Sequence, residues 1–206
     1  MAGPMTSQGV AFFDFDGTLI RGDSLPLFIA EVIGRHRTRL AFADALRSAT
    51  HRHLRGRPVG ADFRGTVKAI VLKRTLRGVP LAVAESAAER LLSRLRWHSP
   101  MVEALRAHRT AGRTVVVATG ALNVYMPALL RHLPVDHLMA TEMEVVDGHL
   151  TGAIATGNCV RGHKAERVQA WLDQHGPFPR TWGYGNHPSD RPMLALLDEP
   201  AVIRIR

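Results

Sequence analysis

Two aspartates one residue apart, Asp14 and Asp16, close a short apolar run, Val10-Ala-Phe-Phe13, and are followed by Gly17-Thr18-Leu19. A carboxylate at the end of a buried strand can attack phosphorus and hold the phosphoryl group as an acyl phosphate. A second carboxylate two residues on can pass a proton to the leaving oxygen. An isolated Asp-x-Asp is ordinarily a solvated turn or a helix cap; the apolar run before this pair and the Gly-Thr turn after it set it apart. Thr119-Gly120 ends a second apolar run and offers a hydroxyl and a backbone N–H to a phosphate oxygen. Lys164 opens a helical stretch, where a cation opposes the helix dipole, so an anion is expected beside it. Asn186 and Asp190 lie four apart across a proline-containing loop. With two further carboxylates, their oxygens suit Mg2+, which takes oxygen donors in octahedral geometry. Each has a plainer reading: a hydroxyl that merely ends a strand, a surface lysine, or a helix capped by Ser189 or Asp190.

Elements must bring these residues together. Val10–Phe13, Thr114–Ala118 and Thr181–Tyr184 read as buried strands, each emptying into small or polar residues. In an open α/β sheet, ligands bind beyond the carboxyl ends of the strands, and three such ends would converge there. Ala201–Ile205 reads as a last, edge-like strand. Helical periodicity appears over Pro100–Thr110, with Met101, Ala104, Leu105 and His108 on one face. It recurs over Lys164–Gln174, with Ala165, Val168, Trp171 and Leu172 inward and Gly176-Pro177 as the stop. A short helix is expected over Arg191–Leu197. Asp147-Gly148, flanked by Val145-Val146 and Leu150, is a hairpin signal. Residues 21–99 have no strong strand signal and read as an all-helical insert over the site. It breaks at Arg55-Gly-Arg-Pro58 and Gly78-Val-Pro80 and includes an amphipathic helix over Ser86–Leu95.

The bulk properties narrow the classes. A chain of 206 residues with 46% apolar content fits one ordinary domain, or a core with an insert. No apolar run approaches the roughly 20 residues that span a bilayer. Residues 1–9 lack the charged start and apolar middle of a secretory signal and read as a loose leader. One cysteine, Cys159, excludes an internal disulfide framework and points to a reducing, cytoplasmic location. The net charge of +9 is unevenly placed: residues 21–99 hold 16 Arg or Lys against 6 Asp or Glu, the remainder 11 against 12. Such a segment attracts anions: a phosphorylated substrate, an acidic membrane surface or nucleic acid. The plain alternative is a solvated basic face.

Taken in order, these motifs resemble those of the haloacid dehalogenase superfamily. Asp14-Phe-Asp16-Gly-Thr18 is similar to its first motif, Val115-Val-Val-Ala-Thr119 to its second and Lys164 to its third. Gly185-Asn186 through Asp190, with Pro192-Met-Leu following, is similar to its fourth. The helical insert, the hairpin and Asn158-Cys-Val-Arg-Gly-His-Lys164 resemble the branch containing phosphoserine phosphatase. The resemblance implies a Rossmann-like parallel-sheet α/β core of residues 1–20 and 100–206, with a helical cap of residues 21–99. It implies an Mg2+-dependent phosphomonoester hydrolase acting on a small phosphorylated metabolite. Asp14 would be the nucleophile and Asp16 the acid and then base. Thr18, Thr119, Gly120 and Lys164 would hold the phosphoryl group, with Asp14, Asp16, Asn186 and Asp190 around the metal. Asn186 stands where the family usually has aspartate, so one ligand charge is missing. Asp23 falls nine after the nucleophile, where phosphoserine phosphatases carry a substrate-binding glutamate; an exposed loop acid is its plain reading. His163 and His187 flank motif residues, and second-shell or solvated roles suit them. Cys159 has no activating neighbour in sequence and reads as simply buried. Phosphoserine phosphatase, a lipid-phosphate phosphatase, and a catalytically weak regulatory or nucleic-acid-binding protein on this scaffold are the alternatives. The oligomeric state is left open.

Overall fold

The computed structural model describes residues 8–55, 63–186 and 188–205. Its centre is β1 (Val10–Phe13), four fully buried residues. It lies between β2 (Thr114–Leu122) and β6 (Thr181–Asn186). With β3 (His137–Thr141) and β7 (Glu199–Ile203) these make a five-stranded parallel sheet, order β3-β2-β1-β6-β7. The chain starts in the middle, builds outward through β2 and β3, then crosses to the other side of β1. The direction reverses between β1 and β6, the point where open sheets leave a crevice at their carboxyl ends.

Period-two alternation assigns the two faces. Ala11, Phe13, Val115 and Val117 share one hydrophobic cluster with Val102 and Leu105 of α5 (Ser99–Thr110). Val10, Phe12, Val116 and Ala118 point the other way, with Val168 and Trp171 of α7 (Arg161–His175) and Met193 of α8 (Arg191–Leu194). Burying each such Val or Phe stabilises the fold by about 1.5–3 kcal/mol. This two-sided cover is why the strands read as continuous apolar runs.

Between β1 and α5 lie α1 (Ser24–Ile33), α2 (Arg35–Leu54), α3 (Phe63–Leu76) and α4 (Leu81–Leu92), with no strand among the described residues there. The two connections to the core run side by side: Arg21 N–H donates to Arg96 O (2.8 Å) and His98 N–H to Leu19 O (2.9 Å). The cap has a second attachment. The hairpin of β4 (Met143–Val146) and β5 (His149–Ile154) exchanges backbone hydrogen bonds with the α3–α4 connection. Gly78 N–H donates to Leu150 O (2.8 Å), Leu150 N–H to Val79 O (2.9 Å) and Leu81 N–H to Gly148 O (2.9 Å). The Gly78-Val-Pro80 break is therefore a docking edge.

Some boundaries differ from expectation. The amphipathic helix expected over Ser86–Leu95 begins at Leu81, directly after Pro80, and ends at Leu92; Leu95 is buried beyond it. Helix α8 stops at Leu194 and β7 spans Glu199–Ile203. Strand β3 and the short α6 (Met126–Leu130) had no clear sequence signal. Helix α2 runs to Leu54, and the expected break at Arg55–Pro58 falls largely outside the described residues, as does most of the leader. Among the described residues, no helix is long and apolar enough to cross a membrane.

Candidate active site

Asp14 is the first residue after β1, and its N–H donates to Tyr184 O (2.8 Å), which extends the β1–β6 pairing by one step. The residue is 5% exposed. Oδ1 accepts from Lys164 Nζ (2.7 Å) and Oδ2 from Thr18 Oγ1 (3.2 Å). Burial raises the Asp14 carboxyl to about 6; Lys164 pulls it down and Asp190 pushes it up. Lys164, in the first turn of α7, also donates to Asp190 Oδ1 (2.5 Å). Burial works against its charge, but the Asp14 and Asp190 carboxylates outweigh burial and hold it above the ordinary lysine range. The anion expected beside the helix start is thus a pair of carboxylates.

Asp16 lies beyond the strand, and its carboxylate accepts from Ser24 N–H (2.8 Å) at the start of α1. That is the end of a helix that favours negative charge. Burial, then Asp23 and Asp14, raise the Asp16 carboxyl to about 8. The Asp16 carbonyl accepts from Asn186 Nδ2 (2.6 Å). Gly17 makes this approach possible: its φ is +74°, and a Cβ there would sit 2.5 Å from Asn186 Nδ2.

Asp14, Asp16, Asp23, Lys68, Thr119, Gly120, Lys164 and Asn186 line one cavity of about 180 Å3. Thr119 is fully buried, and its hydroxyl accepts from Ala121 N–H (3.0 Å). Asp23 is both cap and lining residue. The residue is exposed, as its plain reading expects, but its carboxylate accepts from Leu25 N–H (3.0 Å) as the N-cap of α1; partial desolvation raises its pKa while that bond and Lys68 lower it.

Three expected roles shift. Thr18 is fully buried and spends its hydroxyl on the Asp14 carboxylate, so it orients that group and does not line the cavity. Asp190, expected on the metal, has Oδ1 on Lys164 and Oδ2 on the Asn186 N–H (2.9 Å) and is 1% exposed. In this arrangement it anchors Lys164. Asn186 meets the Asp16 carbonyl with its amide nitrogen, while its Oδ1 accepts from Ser189 Oγ (3.0 Å). The weaker candidates take their plainer readings. His163 contacts Thr156 O (2.9 Å) and Glu166 (3.4 Å), and Cys159 is buried, which pushes its thiol up. His187 lies outside the described residues.

Lys68, on α3, was missed by sequence reasoning. Its Nζ donates to Gly120 O (2.6 Å) and Asn158 Oδ1 (2.6 Å), with Thr141 Oγ1 at 3.4 Å. Burial lowers it to about 8, with Asp16 and Asp23 pulling it up. Only composition hinted at it: the chain has three lysines against 24 arginines, and two of the three line this cavity.

The donor set can be tested against a divalent cation. Among the described residues, no group of three or more His, Cys, Asp or Glu is arranged to hold a metal. The oxygens at the mouth are a mixed set: the Asp14 and Asp16 carboxylates, the Asp16 carbonyl and the Asn186 amide, hard donors of the kind Mg2+ takes. Among the described residues, the carboxyls of Asp14, Asp16, Asp23 and Asp190 meet the ammonium groups of Lys68 and Lys164, and burial has raised the Asp14 and Asp16 carboxyls. A divalent cation would compensate these carboxyls in their charged form.

The haloacid dehalogenase-like hydrolase family model matches residues 11–195. A phosphoserine phosphatase of Streptococcus thermophilus is 24% identical over 189 residues, covering 91% of this chain and 80% of that one. A Bordetella pertussis crystal structure of unknown function superposes with TM-score 0.77 at 25% identity, over 96% of this chain and 90% of that one. A phosphoserine phosphatase structure carrying a phospho-aspartyl intermediate analogue superposes with TM-score 0.64, over 94% and 85%. Its 18% identity speaks for the fold alone.

Proposed function

Because the chain belongs to the haloacid dehalogenase-like hydrolases and is a phosphatase of that family, we propose that it hydrolyses a small phosphomonoester through an aspartyl-phosphate on Asp14. The observation that carries this reading is the Asp14 carboxylate itself. It stands at a strand end, lines a cavity, and is oriented through one oxygen by Lys164 and through the other by Thr18. A fixed nucleophile of this kind avoids the entropy of orientation at the moment of attack.

An Asp14 oxygen attacks phosphorus, the P–O bond to the leaving group breaks, and the leaving oxygen takes the proton of Asp16. The raised pKa of Asp16, about 8, suits a group that must be protonated at neutral pH. Asp16 then accepts a proton from water as that water attacks the acyl phosphate, which frees inorganic phosphate and restores Asp14. Lys164, the Thr119 hydroxyl and the Gly120 N–H would hold the phosphoryl oxygens. Mg2+, held by Asp14, the Asp16 carbonyl and the Asn186 oxygen after rotation of the amide, would neutralise the phosphoryl charge.

The test is turnover of p-nitrophenyl phosphate with and without Mg2+, and trapping of labelled phosphate on the protein. Wild type should turn over and label. Asp14→Asn should stay folded, lose the label and lose activity by orders of magnitude, since an amide does not attack phosphorus. Asp16→Asn should slow alkyl phosphates more than aryl ones. Retention of more than a few per cent of activity in Asp14→Asn assigns the nucleophile elsewhere, because a lost nucleophile costs roughly three or more powers of ten.

One observation favours phosphoserine as the substrate. Asp23 and Lys68, of opposite charge, both line the cavity and match the amino and carboxylate groups of an amino-acid leaving group. The similarity to the Streptococcus thermophilus phosphoserine phosphatase supports the same reading.

A further inference from the structure

We propose that the substrate's leaving group is elongated and ends in a second anion, received by Lys73 and Arg52 in a groove beside the catalytic cavity. This rests on the phosphomonoesterase reading above and competes with phosphoserine as the substrate. The groove has a volume of about 820 Å3, against about 180 Å3 for the catalytic cavity. The smaller space suits a phosphoryl group with a leaving group of a few atoms; the larger is of the size that takes a drug-sized ligand, roughly 300–1,000 Å3. A leaving group no larger than serine would leave the groove empty.

One wall is a face of α3. Thr66, Ala69, Ile70 and Lys73 fall at helical spacings of three and four and all line it. Arg52 from α2 stands beside them, and the facing wall is the turn of residues 156–163. The middle is apolar, through Ala69, Ile70 and Val160. The cationic residues of the lining are Arg52, Lys73 and Arg161, and no carboxylate is among the described lining residues. Arg161 has φ +51°, a left-handed backbone that costs a non-glycine residue of order 1 kcal/mol and that clusters at functional turns.

The groove meets the catalytic cavity at Val160, which lines both. Gly120 packs closely against Val160 at this border: a Cβ there would lie 2.6 Å from Val160 Cγ1. The Lys68–Asn158 hydrogen bond (2.6 Å) spans the same border, Lys68 lining the cavity and Asn158 the groove. A leaving group that passes Val160 into the groove would meet Ala69 and Ile70 along its body and the charged ends of Lys73 and Arg52. A phosphate or a carboxylate meets that chemistry equally well.

The experiment titrates the Mg2+-loaded protein calorimetrically with alkane-α,ω-diphosphonates of increasing length and with the matching alkyl monophosphonates. None of these can be hydrolysed. At the best length the diphosphonate should bind about tenfold tighter than its monophosphonate, the equivalent of ~1.4 kcal/mol. Lys73→Glu and Arg52→Glu, both changes at exposed side chains, should abolish that difference. Arg37→Glu, an equal change in net charge at another exposed position of α2, should preserve it. Equal binding at every length overturns the proposal. So does a difference that survives both groove variants, or one that Arg37→Glu also erases, since that would be general charge attraction. Dicarboxylates in place of diphosphonates identify which anion is preferred. Wild-type turnover of p-nitrophenyl phosphate is measured alongside: its absence refutes the phosphatase reading and leaves the binding comparison to stand or fall alone.

Discussion

Replacing Lys164 with methionine removes the cation held between two buried carboxylates. Lys164 Nζ lies 2.7 Å from Asp14 and 2.5 Å from Asp190, and the three residues are 2%, 5% and 1% exposed. Methionine fills a similar volume, so little packing is lost and the effect is electrostatic. Removing one partner of a buried ion pair destabilises by about 3–5 kcal/mol, because the remaining charge is left uncompensated. For a chain of this length each kcal/mol moves Tm by about 2–4 °C, so a fall of about 6–20 °C is expected at pH 8. Acid should relieve it. Without the lysine, the folded variant raises the Asp14 carboxyl further above its unfolded value, and so it keeps a proton that the unfolded chain has released. Its stability is therefore lost as pH rises and regained as pH falls, by ~1.4 kcal/mol for each unit below the raised value. Wild type shares only the smaller part of this, with Asp14 raised to about 6. Melting both proteins in chelator at pH 5 and pH 8 should show the gap in Tm shrinking at pH 5. A variant as stable as wild type at pH 8, or a gap independent of pH, would refute the view that Lys164 neutralises this carboxylate pair.

Asn186→Asp supplies the missing ligand charge and should lower the Mg2+ needed for half-maximal turnover by roughly tenfold, ~1.4 kcal/mol; overlaid titrations would remove Asn186 from the metal site. Without Mg2+ the same variant should be less stable by about 1 kcal/mol, since it exchanges the donor at 2.6 Å from the Asp16 carbonyl for another oxygen. Its melting temperature should then respond more to Mg2+ than that of wild type. Lys68 carries its charge below about 8 and loses it above. Asp16 titrates near the same value, so kcat/KM should fall through that pH more steeply for anionic leaving groups than for neutral ones, and Lys68→Met should remove that difference; a difference that survives the substitution would place Lys68 outside substrate binding.

Much of the candidate site was legible in the sequence because its signals are local. A buried parallel strand needs a continuous apolar run, and Val10–Phe13, Thr114–Ala118 and Thr181–Tyr184 each mark such a strand, although β2 runs on to Leu122 and β6 to Asn186. Asp14 follows β1, Thr119 lies in β2 just past its pairing with β1, and Asn186 ends β6, so register along the chain translated into position in the candidate site. The hairpin at Asp147-Gly148 was legible for a similar reason, since both residues adopt positive φ there, +48° and +71°. Strand β3 was not: His137-Leu-Met-Ala-Thr141 has neither alternation nor a β-branched run, and it becomes a strand by pairing with β2.

Residue types and spacing alone determined which groups would lie at the sheet's carboxyl edge. They could not determine where each side chain turns. Thr18 bonds the nucleophile, Asp190 bonds Lys164, and Asn186 presents nitrogen to the Asp16 carbonyl. Those choices depend on neighbours 4 to 170 residues away and on which contact best compensates a buried charge. Lys68 is the clearest case. On a helix rich in basic residues nothing local distinguishes it from Lys73, five positions on. Only the docking of the cap brings its ammonium to a carbonyl 52 residues away and into the catalytic cavity.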